Sequence, residues 1–329
     1  MFLRNSWYVA ALSRDVGRKP LQKWMLGEPV VLFRTQAGEP VAMRDRCPHR
    51  QAPLSKGALL GDEIQCRYHG FQFDSGGRCT RVPGEKTVPQ ALRVDRFGVA
   101  EAHGFVWVWL GEQEKCDAAA IPRWPWMDKA GFLSYHTESV FQAPFQLIVD
   151  NLMDLTHVHF LHSILGADNL IHESEPMKTG EEGAHVHYRR DLKTPKSAAT
   201  GIYMEISGEY IPPSCVITSG VPKREGSEEI QPGPISQVLH CLTPQTAEST
   251  RYFGVKCWNM LLKPHEIAGV QHQVDVTIEE DREMIEAQYR VARAAPPGVQ
   301  EKLIRADRAA VMARRSYEKL LETQVNAAV

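Results

Sequence analysis

Two cysteines and two histidines stand in two short segments of the amino-terminal third of the chain. The first segment is Cys47-x-His49 and the second, sixteen residues further on, is Cys66-x-x-His69. Thiolates and imidazoles held in such clips are typical of metal sites. A disulfide between Cys47 and Cys66 would leave both histidines unused, and structural zinc sites usually begin with two cysteines rather than with Cys-x-His.

The remaining candidate for these four side chains is a Rieske [2Fe-2S] cluster. In such a cluster two cysteines hold one iron and two histidines hold the other, so each clip can supply one ligand to each iron. Several glycines punctuate this stretch of the chain, as tight loops around a cluster require. The spacing therefore predicts a Rieske cluster on Cys47, His49, Cys66 and His69, with structural zinc as the alternative.

The composition of the chain limits the classes of partner. Its 329 residues include 38 Lys and Arg against 40 Asp and Glu, so no charge excess indicates nucleic acid or an anionic membrane as a partner. No apolar run approaches the roughly 20 residues that span a bilayer. Five further cysteines have no paired spacing and are expected to be free thiols. We therefore expect no membrane partner and a cytoplasmic location.

The elements that must position the clips are short β-prone runs separated by Gly, Pro and Asp, over residues 20 to 115. A segment rich in Ala, Pro and Trp follows, and alternating runs typical of antiparallel strands come after it. Two helices are predicted at 265–294 and 299–323. The expected fold class is α+β, with an all-β domain over 1–117 and a second, antiparallel-sheet domain over 118–329.

The second half opens with a segment of helical periodicity, residues 147 to 165. On one stripe of this helix, Asn151, Asp154 and His162 interrupt a face of leucine and valine. Buried polar groups are costly unless they are paired or bound to a metal, so these three side chains need partners. The stripe therefore predicts a second site.

Two other histidines are candidates to join His162. His159 shares its face at the i,i+3 spacing, whereas His157 at i,i+5 would need a local widening such as a π-bulge. His157 follows Asp154 by one turn, and that carboxylate could orient its ring. The periodicity leaves this choice open.

A carboxylate ligand is predicted on the helix near residue 281. A helical projection places Asp281 among apolar neighbours and the other five acidic residues of 274–291 on the solvated side. A buried carboxylate needs a cation opposite it. Two histidines and one carboxylate with open positions form the facial triad of non-haem Fe(II) oxygenases.

Six motifs together resemble the oxygenase components of Rieske non-haem iron oxygenases, in the group that includes dicamba monooxygenase, vanillate O-demethylase and toluenesulfonate methyl-monooxygenase. They cover essentially the full length in order and spacing. The matching segments are NSWYVAAL, CPHRQAPLSKG, CRYHGFQFD, VDNLMDLTHVHFLH, HCLTP and EEDREMIEAQ.

The resemblance implies a ligand set and an architecture. The family pattern Asp-x-x-His-x-x-x-x-His falls on Asp154, His157 and His162, and the iron aspartate falls on Asp281. It implies an N-terminal Rieske domain, a C-terminal helix-grip catalytic domain with an antiparallel sheet around a long helix, and a homotrimer. Asp154 would hydrogen-bond His157 in its own chain and His69 of the partner subunit. Asn151 is grouped with Asp154 as a candidate catalytic residue.

The resemblance also implies an activity and its partners. The chain would use O2 and electrons to hydroxylate or oxidatively demethylate a small aromatic substrate. The electrons would come from NADH through a ferredoxin and/or flavin reductase. No GxGxxG or P-loop stands in the chain, so the reductase must be separate. The alternative substrates are a larger ring system or an N-methyl group. The alternative kinds of protein are a ring dioxygenase, a pure Rieske electron carrier and a helix-grip ligand-binding module.

One residue is predicted to contact the substrate. In the run ISQVLHCLTP, strand alternation places His240 on one face with Ser236, Val238 and Leu242. His240 precedes a predicted turn at 242–244 and could hydrogen-bond a phenolate or carboxylate. The alternative is a histidine satisfied within the core.

Overall fold

The computed structural model describes residues 1–162, 177–192, 200–259 and 263–327, except for the side chains of His159 and Pro264. The chain separates into two compact units. One unit contains Met1–Ile121 and Thr243–Ala247, and the other lies within 122–242 and 248–329. The predicted division at residue 117 lies just before the structural one and stays a prediction as a functional boundary.

The first unit consists of β-strands joined by loops and short 3-10 turns, as its short β-prone runs predicted. Ten strands fall in this stretch: β1 (Ser6–Leu12), β2 (Leu21–Met25), β3 (Glu28–Arg34), β4 (Pro40–Arg44), β5 (Ala58–Leu60), β6 (Glu63–Gln65), β7 (Gln72–Phe73), β8 (Cys79–Arg81), β9 (Arg96–Ala102) and β10 (Phe105–Leu110). They form a six-stranded sheet of order β1-β10-β9-β4-β3-β2 and a four-stranded sheet of order β5-β6-β7-β8.

The smaller sheet carries the cysteine and histidine clips at its ends. Its strands pair antiparallel, Leu59 with Ile64 and Ile64 with Phe73. Ile64 and Phe73 are fully buried in a cluster that also contains Val31, Phe33 and both clip cysteines. This apolar cluster fixes the base of both clips.

The second unit combines an antiparallel sheet with helices. Its elements are β11 (Leu133–Phe141), α1 (Phe145–Met153), α2 (Val158–Leu161), β12 (Lys178–Glu182), β13 (His185–Leu192), β14 (Ile202–Ile211), β15 (Cys215–Arg224), β16 (Ser236–Thr246), β17 (Ser249–Trp258), α3 (Pro264–Ala294) and α4 (Arg308–Asn326). The sheet has the order β11-β17-β16-β15-β14-β13-β12. The long helix α3 contacts β11 and α1, and α1 also contacts α4 and β14. The predicted α+β class is confirmed.

Three predicted elements differ from the structure. The last helix begins at Arg308 rather than near 299, and Val299 and Leu303, which precede it, are exposed. Strand β15 extends to Arg224, although the polar sequence of residues 221–234, with its prolines and glycines, predicts a loop. Strand β16 continues through Thr246, so the turn predicted at 242–244 does not form. No helix of the described residues is both long and apolar enough to cross a membrane.

Candidate functional site

The two clips of the first unit are built on the same backbone pattern. In the first clip the Cys47 amide donates to the Ala52 carbonyl (2.8 Å) and the Gln51 amide donates to the Cys47 carbonyl (2.8 Å). The second clip repeats both bonds, from Cys66 to Phe71 (2.8 Å) and from Gly70 to Cys66 (3.0 Å). The residue four positions after each cysteine has positive φ, 58° at Gln51 and 74° at Gly70. Glycine adopts this conformation without strain, which explains its presence in the second clip.

The clips bring two buried thiols and two exposed imidazoles together. Cys47 and Cys66 are each 1% exposed, and their thiols lie within hydrogen-bonding reach of one another. The ring centroids of His49 and His69 are 4.5 Å apart, and His49 also stacks on Phe71 at 4.7 Å. All four predicted ligands therefore meet at one place.

The charges at this place suit a cationic cluster. Burial, with the neighbouring thiol, raises the pKa of the Cys47 thiol to about 11. A metal is the group that stabilises a buried thiolate. Desolvation and the nearby His69 ring lower the pKa of His49, which favours the neutral imidazole that binds a metal. All seven cysteines lie in the described ranges and are free thiols, so the disulfide alternative for Cys47 and Cys66 is wrong.

A buried carboxylate supports the first clip, and the sequence analysis missed it. Asp45 is 3% exposed and accepts hydrogen bonds from the Ser55 amide (2.7 Å), the Ser55 hydroxyl and the Gln22 side chain. These bonds tie both ends of the first clip to strand β2. The signal in the sequence was a lone Asp directly after a strand, which is common in loops without any such role.

The second candidate site forms where the predicted helix of 147–165 breaks. Helix α1 ends at Met153, and Asp154 has extended backbone angles (φ −137°, ψ 104°). A 3-10 turn over Leu155–His157 follows, and then α2. The Asp154 carboxylate accepts from the Thr156 amide (2.9 Å) and hydroxyl (3.0 Å), and these bonds cap the new turn. A break, rather than the predicted π-bulge, therefore turns His157 toward His162.

Each histidine has one ring nitrogen bound and presents the other. His157 Nδ1 donates to the backbone carbonyl of Asp154 (2.8 Å), and His162 Nδ1 donates to Glu280 (2.9 Å). Both rings therefore direct Nε2, with its lone pair, into the same space. The expectation that the Asp154 carboxylate bonds His157 is wrong in this chain, since the carbonyl makes that bond. The His159 side chain lies outside the described atoms.

Asp281 completes a group of three. Its Oδ1 lies 3.2 Å from His162 Nε2 and 3.5 Å from His157 Nε2. One ligand atom from each of these three residues lies within 4.8 Å of the others, which is a spacing that a single metal ion can bridge. Asn151 Nδ2 donates to Asp281 Oδ1 (3.0 Å) and contacts His157 Nε2 (3.3 Å). Asn151, His157, His162 and Asp281 are thus brought together.

The pKa values of the two histidines respond to different surroundings. Burial lowers the pKa of His157, against the charge of Asp281. Burial also acts to lower the pKa of His162, but hydrogen bonds and charges from Asp281 and Glu280 outweigh it and raise that pKa. A metal-binding imidazole is neutral, so a cation at this site competes with a proton on His162.

The other acidic residues of α3 were all predicted to face solvent, and for two of them the prediction is wrong. Glu280 binds His162, as described above. Glu286 is 8% exposed, and it accepts from the Gln142 amide (2.8 Å) and from Arg282 (3.3 Å). Glu280 stands at the edge of the helical face, where a long side chain reaches around the helix.

A cavity of about 210 Å³ opens beside the three metal-binding candidates. Apolar side chains of α1, the 3-10 turn and α3 line one side, including Leu152, Leu155 and Ile278. Strands β15, β16 and β17 supply Thr218, Val238, His240, Tyr252 and Lys256 on the other. Cavities that bind drug-sized ligands are usually larger, from about 300 Å³. This one suits a single-ring molecule.

His240 lies in the cavity wall, as its predicted face requires, but both ring nitrogens have partners within the protein. Nε2 lies 2.9 Å from the Thr218 hydroxyl and Nδ1 lies 2.8 Å from the Tyr252 hydroxyl. Burial lowers the pKa of His240 to about 3, so the ring is neutral. A substrate must replace one of these hydroxyls to bind His240, and the role of His240 as an anchor stays a prediction.

Comparisons with known proteins identify the class. Residues 6–92 match the Rieske [2Fe-2S] domain family. Residues 141–323, more than half of the chain, match the family described as vanillate O-demethylase oxygenase C-terminal domain. The chain therefore belongs to the Rieske non-haem iron oxygenases, as an oxygenase component, and the resemblance drawn from the sequence motifs is confirmed.

Individual relatives extend this similarity over nearly the whole chain. The chain is 34% identical over 324 residues to a putative toluene-4-sulfonate monooxygenase system iron-sulfur subunit of Comamonas testosteroni, covering 90% of each. It is 31% identical over 338 residues to the oxygenase component of dicamba O-demethylase of Stenotrophomonas maltophilia, covering 97% of this chain and 98% of the relative.

Solved structures give the same result. The crystal structure of dicamba monooxygenase bound to dicamba superposes with a TM-score of 0.86 at 29% identity, covering 100% of this chain and 99% of that chain. Another crystal structure of that enzyme contains non-haem iron. The cofactors of this oxygenase are a Rieske [2Fe-2S] cluster and a mononuclear iron, and both predicted cofactors are confirmed.

Proposed function

We propose that this chain is a Rieske monooxygenase component that hydroxylates or oxidatively demethylates a small aromatic substrate. The observation that carries the proposal is the group His157, His162 and Asp281, whose ligand atoms lie within 4.8 Å of one another beside a cavity of about 210 Å³. The relatives named for toluene-4-sulfonate and dicamba chemistry support a substituted benzene ring as the substrate class.

Four side chains of the first unit would hold the cluster, one iron on Cys47 and Cys66 and the other on His49 and His69. In the second unit, the mononuclear iron would be held by His157, His162 and Asp281. When bound, the cluster supplies single electrons and the mononuclear iron activates O2.

The chain's own side chains orient these ligands. The Asp154 carbonyl keeps a proton on His157 Nδ1, and Glu280 keeps one on His162 Nδ1. Both Nε2 atoms are therefore unprotonated, and their lone pairs can bind a metal. Asn151 positions the Asp281 carboxylate through its amide. The apolar side chains of the cavity exclude water from the reacting ring.

Oxidative demethylation consumes one O2, two electrons and two protons. One oxygen atom of O2 enters a C–H bond of an aryl O-methyl group, and the hemiacetal breaks into a phenol and formaldehyde. The other oxygen atom leaves as water, with two protons from solvent and two electrons from the electron donor. On an aryl methyl group the same insertion stops at the benzylic alcohol.

The electrons must come from another protein. The sequence has no dinucleotide-binding GxGxxG motif, so a separate flavin reductase oxidises NADH and passes the electrons on, directly or through a ferredoxin. We further propose a homotrimer, in which Asp154 binds His157 through its backbone carbonyl and His69 of the partner subunit through its carboxylate. We also propose a cytoplasmic location, where free thiols persist.

Formaldehyde release distinguishes demethylation from hydroxylation. With a surrogate reductase, methoxybenzoates are expected to give formaldehyde in proportion to the NADH consumed, since each demethylation takes two electrons. Methylated analogues without the ether oxygen are the control and should give a benzylic alcohol without formaldehyde. NADH consumption without formaldehyde from any methoxybenzoate would contradict the demethylase version and favour hydroxylation, N-demethylation or a larger ring.

Glu280→Gln should weaken binding of the mononuclear iron without changing any of its three proposed ligands. The variant loses the negative charge that holds His162, and the loss of such a supporting carboxylate typically lowers metal affinity by about 10 to 100-fold. The measurement is iron retained during titration with a chelator. Glu279→Gln is the matched control, because Glu279 pairs with Arg282 on the surface instead. Equal iron retention in the two variants would contradict the role of Glu280.

A further inference from the structure

Lys256 is a lysine in the wall of the catalytic cavity that the proposed reaction does not use. It lies on β17, and strand alternation places it on the same face as Tyr252 and Gly254. Lys256 and Tyr252 both line the cavity, as do Thr218 and His240 on the neighbouring strands. A side chain at Gly254 would meet the Tyr252 hydroxyl at 2.7 Å, so the glycine keeps this face open between them.

Lys256 has no partner among the described residues, whereas three other buried or partly buried basic side chains of the same unit have one. Within the described residues it makes neither a hydrogen bond nor an ion pair with a carboxylate at 4.0 Å or less. Arg314 is paired with Asp150 at 2.6 Å, Arg251 with Glu138, and Lys223 with the Glu228 carbonyl. An ammonium group removed from water without a partner is costly, and burial lowers the pKa of Lys256.

The charges around the cavity do not compensate this ammonium. Asp281 stands with the two histidines and Asn151, and its charge acts on His240 and Tyr252. Lys256 lies on β17 and lines the cavity together with His240 of β16, so the lysine is on the strand side of the cavity. Among the described residues, the cavity thus has a candidate metal site on its helical side and one unpaired cation in the sheet.

We infer that Lys256 is a specificity-determining residue that pairs with the acid group of an anionic aromatic substrate, a carboxylate or a sulfonate. This inference rests on the proposed function. The acid group takes the strand side of the cavity, and the ring directs its methyl or methoxy substituent to the metal site. Thr218 and Tyr252 both bond the neutral His240 ring, and the hydroxyl that accepts from its single N–H keeps its own hydrogen as a further donor for the same anion.

Equilibrium binding to the iron-loaded oxygenase tests the inference without turnover. Calorimetry compares each acid with a neutral partner of the same shape, 4-methoxybenzoate with 4-methoxybenzamide and 4-methoxybenzenesulfonate with its sulfonamide, and includes the meta isomers of each pair. The wild type should bind at least one acid about tenfold or more tighter than its neutral partner. Comparing the two pairs distinguishes a carboxylate from a sulfonate substrate.

Lys256→Met should abolish this preference by weakening binding of the acid at least about tenfold and changing the amide by less than about twofold. Lys256→Arg should retain part of the preference, because it keeps the charge. Lys223→Met is the matched control, since it removes another buried lysine of the same sheet that lies outside the cavity lining.

Three binding results, and one turnover result, would overturn the inference. In the first, the wild type binds no acid more tightly than its neutral partner, including the case in which neither binds. In the second, Lys256→Met leaves acid binding unchanged. In the third, it weakens acid and amide equally, as expected for a lysine that only packs. Formaldehyde release from the amides but not the acids would leave the oxygenase function standing while rejecting the anionic substrate.

Discussion

Asp281→Ala is expected to lose one iron per chain and all measurable turnover while it keeps the visible absorption of the cluster. Asp281 Oδ1 is the one carboxylate oxygen in the group of three candidate ligand atoms. Its removal leaves two neutral imidazoles, which hold a divalent cation far more weakly than a set with a carboxylate. The clips lie in the other unit and are untouched. Iron and sulfide analysis, absorption spectra and product formation measure the three outcomes.

Glu283→Ala is the matched control for this experiment. It removes a carboxylate from the same helix, two residues further on, at an exposed position. The control should retain the iron, the absorption and the turnover of the wild type. If Asp281→Ala retained all its iron, the assignment of Asp281 as a ligand would be wrong.

Asp154→Asn is expected to keep the fold and both metals but to lose at least about 100-fold in turnover. Asparagine caps a helical turn about as well as aspartate does, because its Oδ1 can still accept from the Thr156 amide and its Nδ2 can donate to the Thr156 hydroxyl. The position of the backbone carbonyl of residue 154 should therefore survive. The bond between the Asp154 carbonyl and His157 is kept, but the negative charge that we propose to bind His69 of the partner subunit is lost. The measurements are melting temperature, iron content and turnover, with single-turnover oxidation of the reduced cluster to locate the blocked step.

Thr156→Ala separates capping from electron transfer. It removes the hydroxyl that binds the Asp154 carboxylate at 3.0 Å but keeps the charge. This variant should lose some stability, about 1 kcal/mol or less, and retain most of its turnover. Full turnover in Asp154→Asn would remove Asp154 from the electron path, and a fall in melting temperature with turnover intact would leave it a structural role alone.

The sequence predicted a Rieske cluster because its candidate ligands in each clip are close in the chain, and the structure brings these four side chains together. Cys47-x-His49 and Cys66-x-x-His69 place their ligands within a few residues, so spacing alone defines the chemistry. The support from Asp45 depends on Gln22 and Ser55, which are distant in sequence. Such long-range hydrogen bonds have no periodic signal.

The second site was harder to predict because its geometry depends on a helix break. Helical periodicity assumes regular angles through Asp154, and it favours His159 over His157 as the neighbour of His162. The capping bonds that Thr156 donates to the Asp154 carboxylate compete with the helical bonds and end the helix. The position of His157 one turn after Asp154 left it a candidate, and the family resemblance selected it. In the described structure the helix break is the physical reason that His157 faces His162.

The acidic residues of α3 show a further limit of the helical projection. Asp281 was placed on the inner face correctly, whereas Glu286 was placed in solvent although it lies buried against the Gln142 amide. A projection ranks residues by angle and contains no information about the polar groups of other elements that meet the helix. In the same way, the periodicity that predicted a helix over 299–323 did not reveal that the helix begins at Arg308.

The content of iron and acid-labile sulfide per chain tests the central claim most directly. A chain that holds a Rieske cluster on its two clips and a mononuclear iron on His157, His162 and Asp281 should contain three iron atoms and two sulfides. The measurement is elemental analysis with sulfide determination on protein purified without oxygen. Zinc in place of sulfide and iron would contradict the cluster, and two iron atoms with two sulfides after reconstitution with Fe(II) would contradict the mononuclear site.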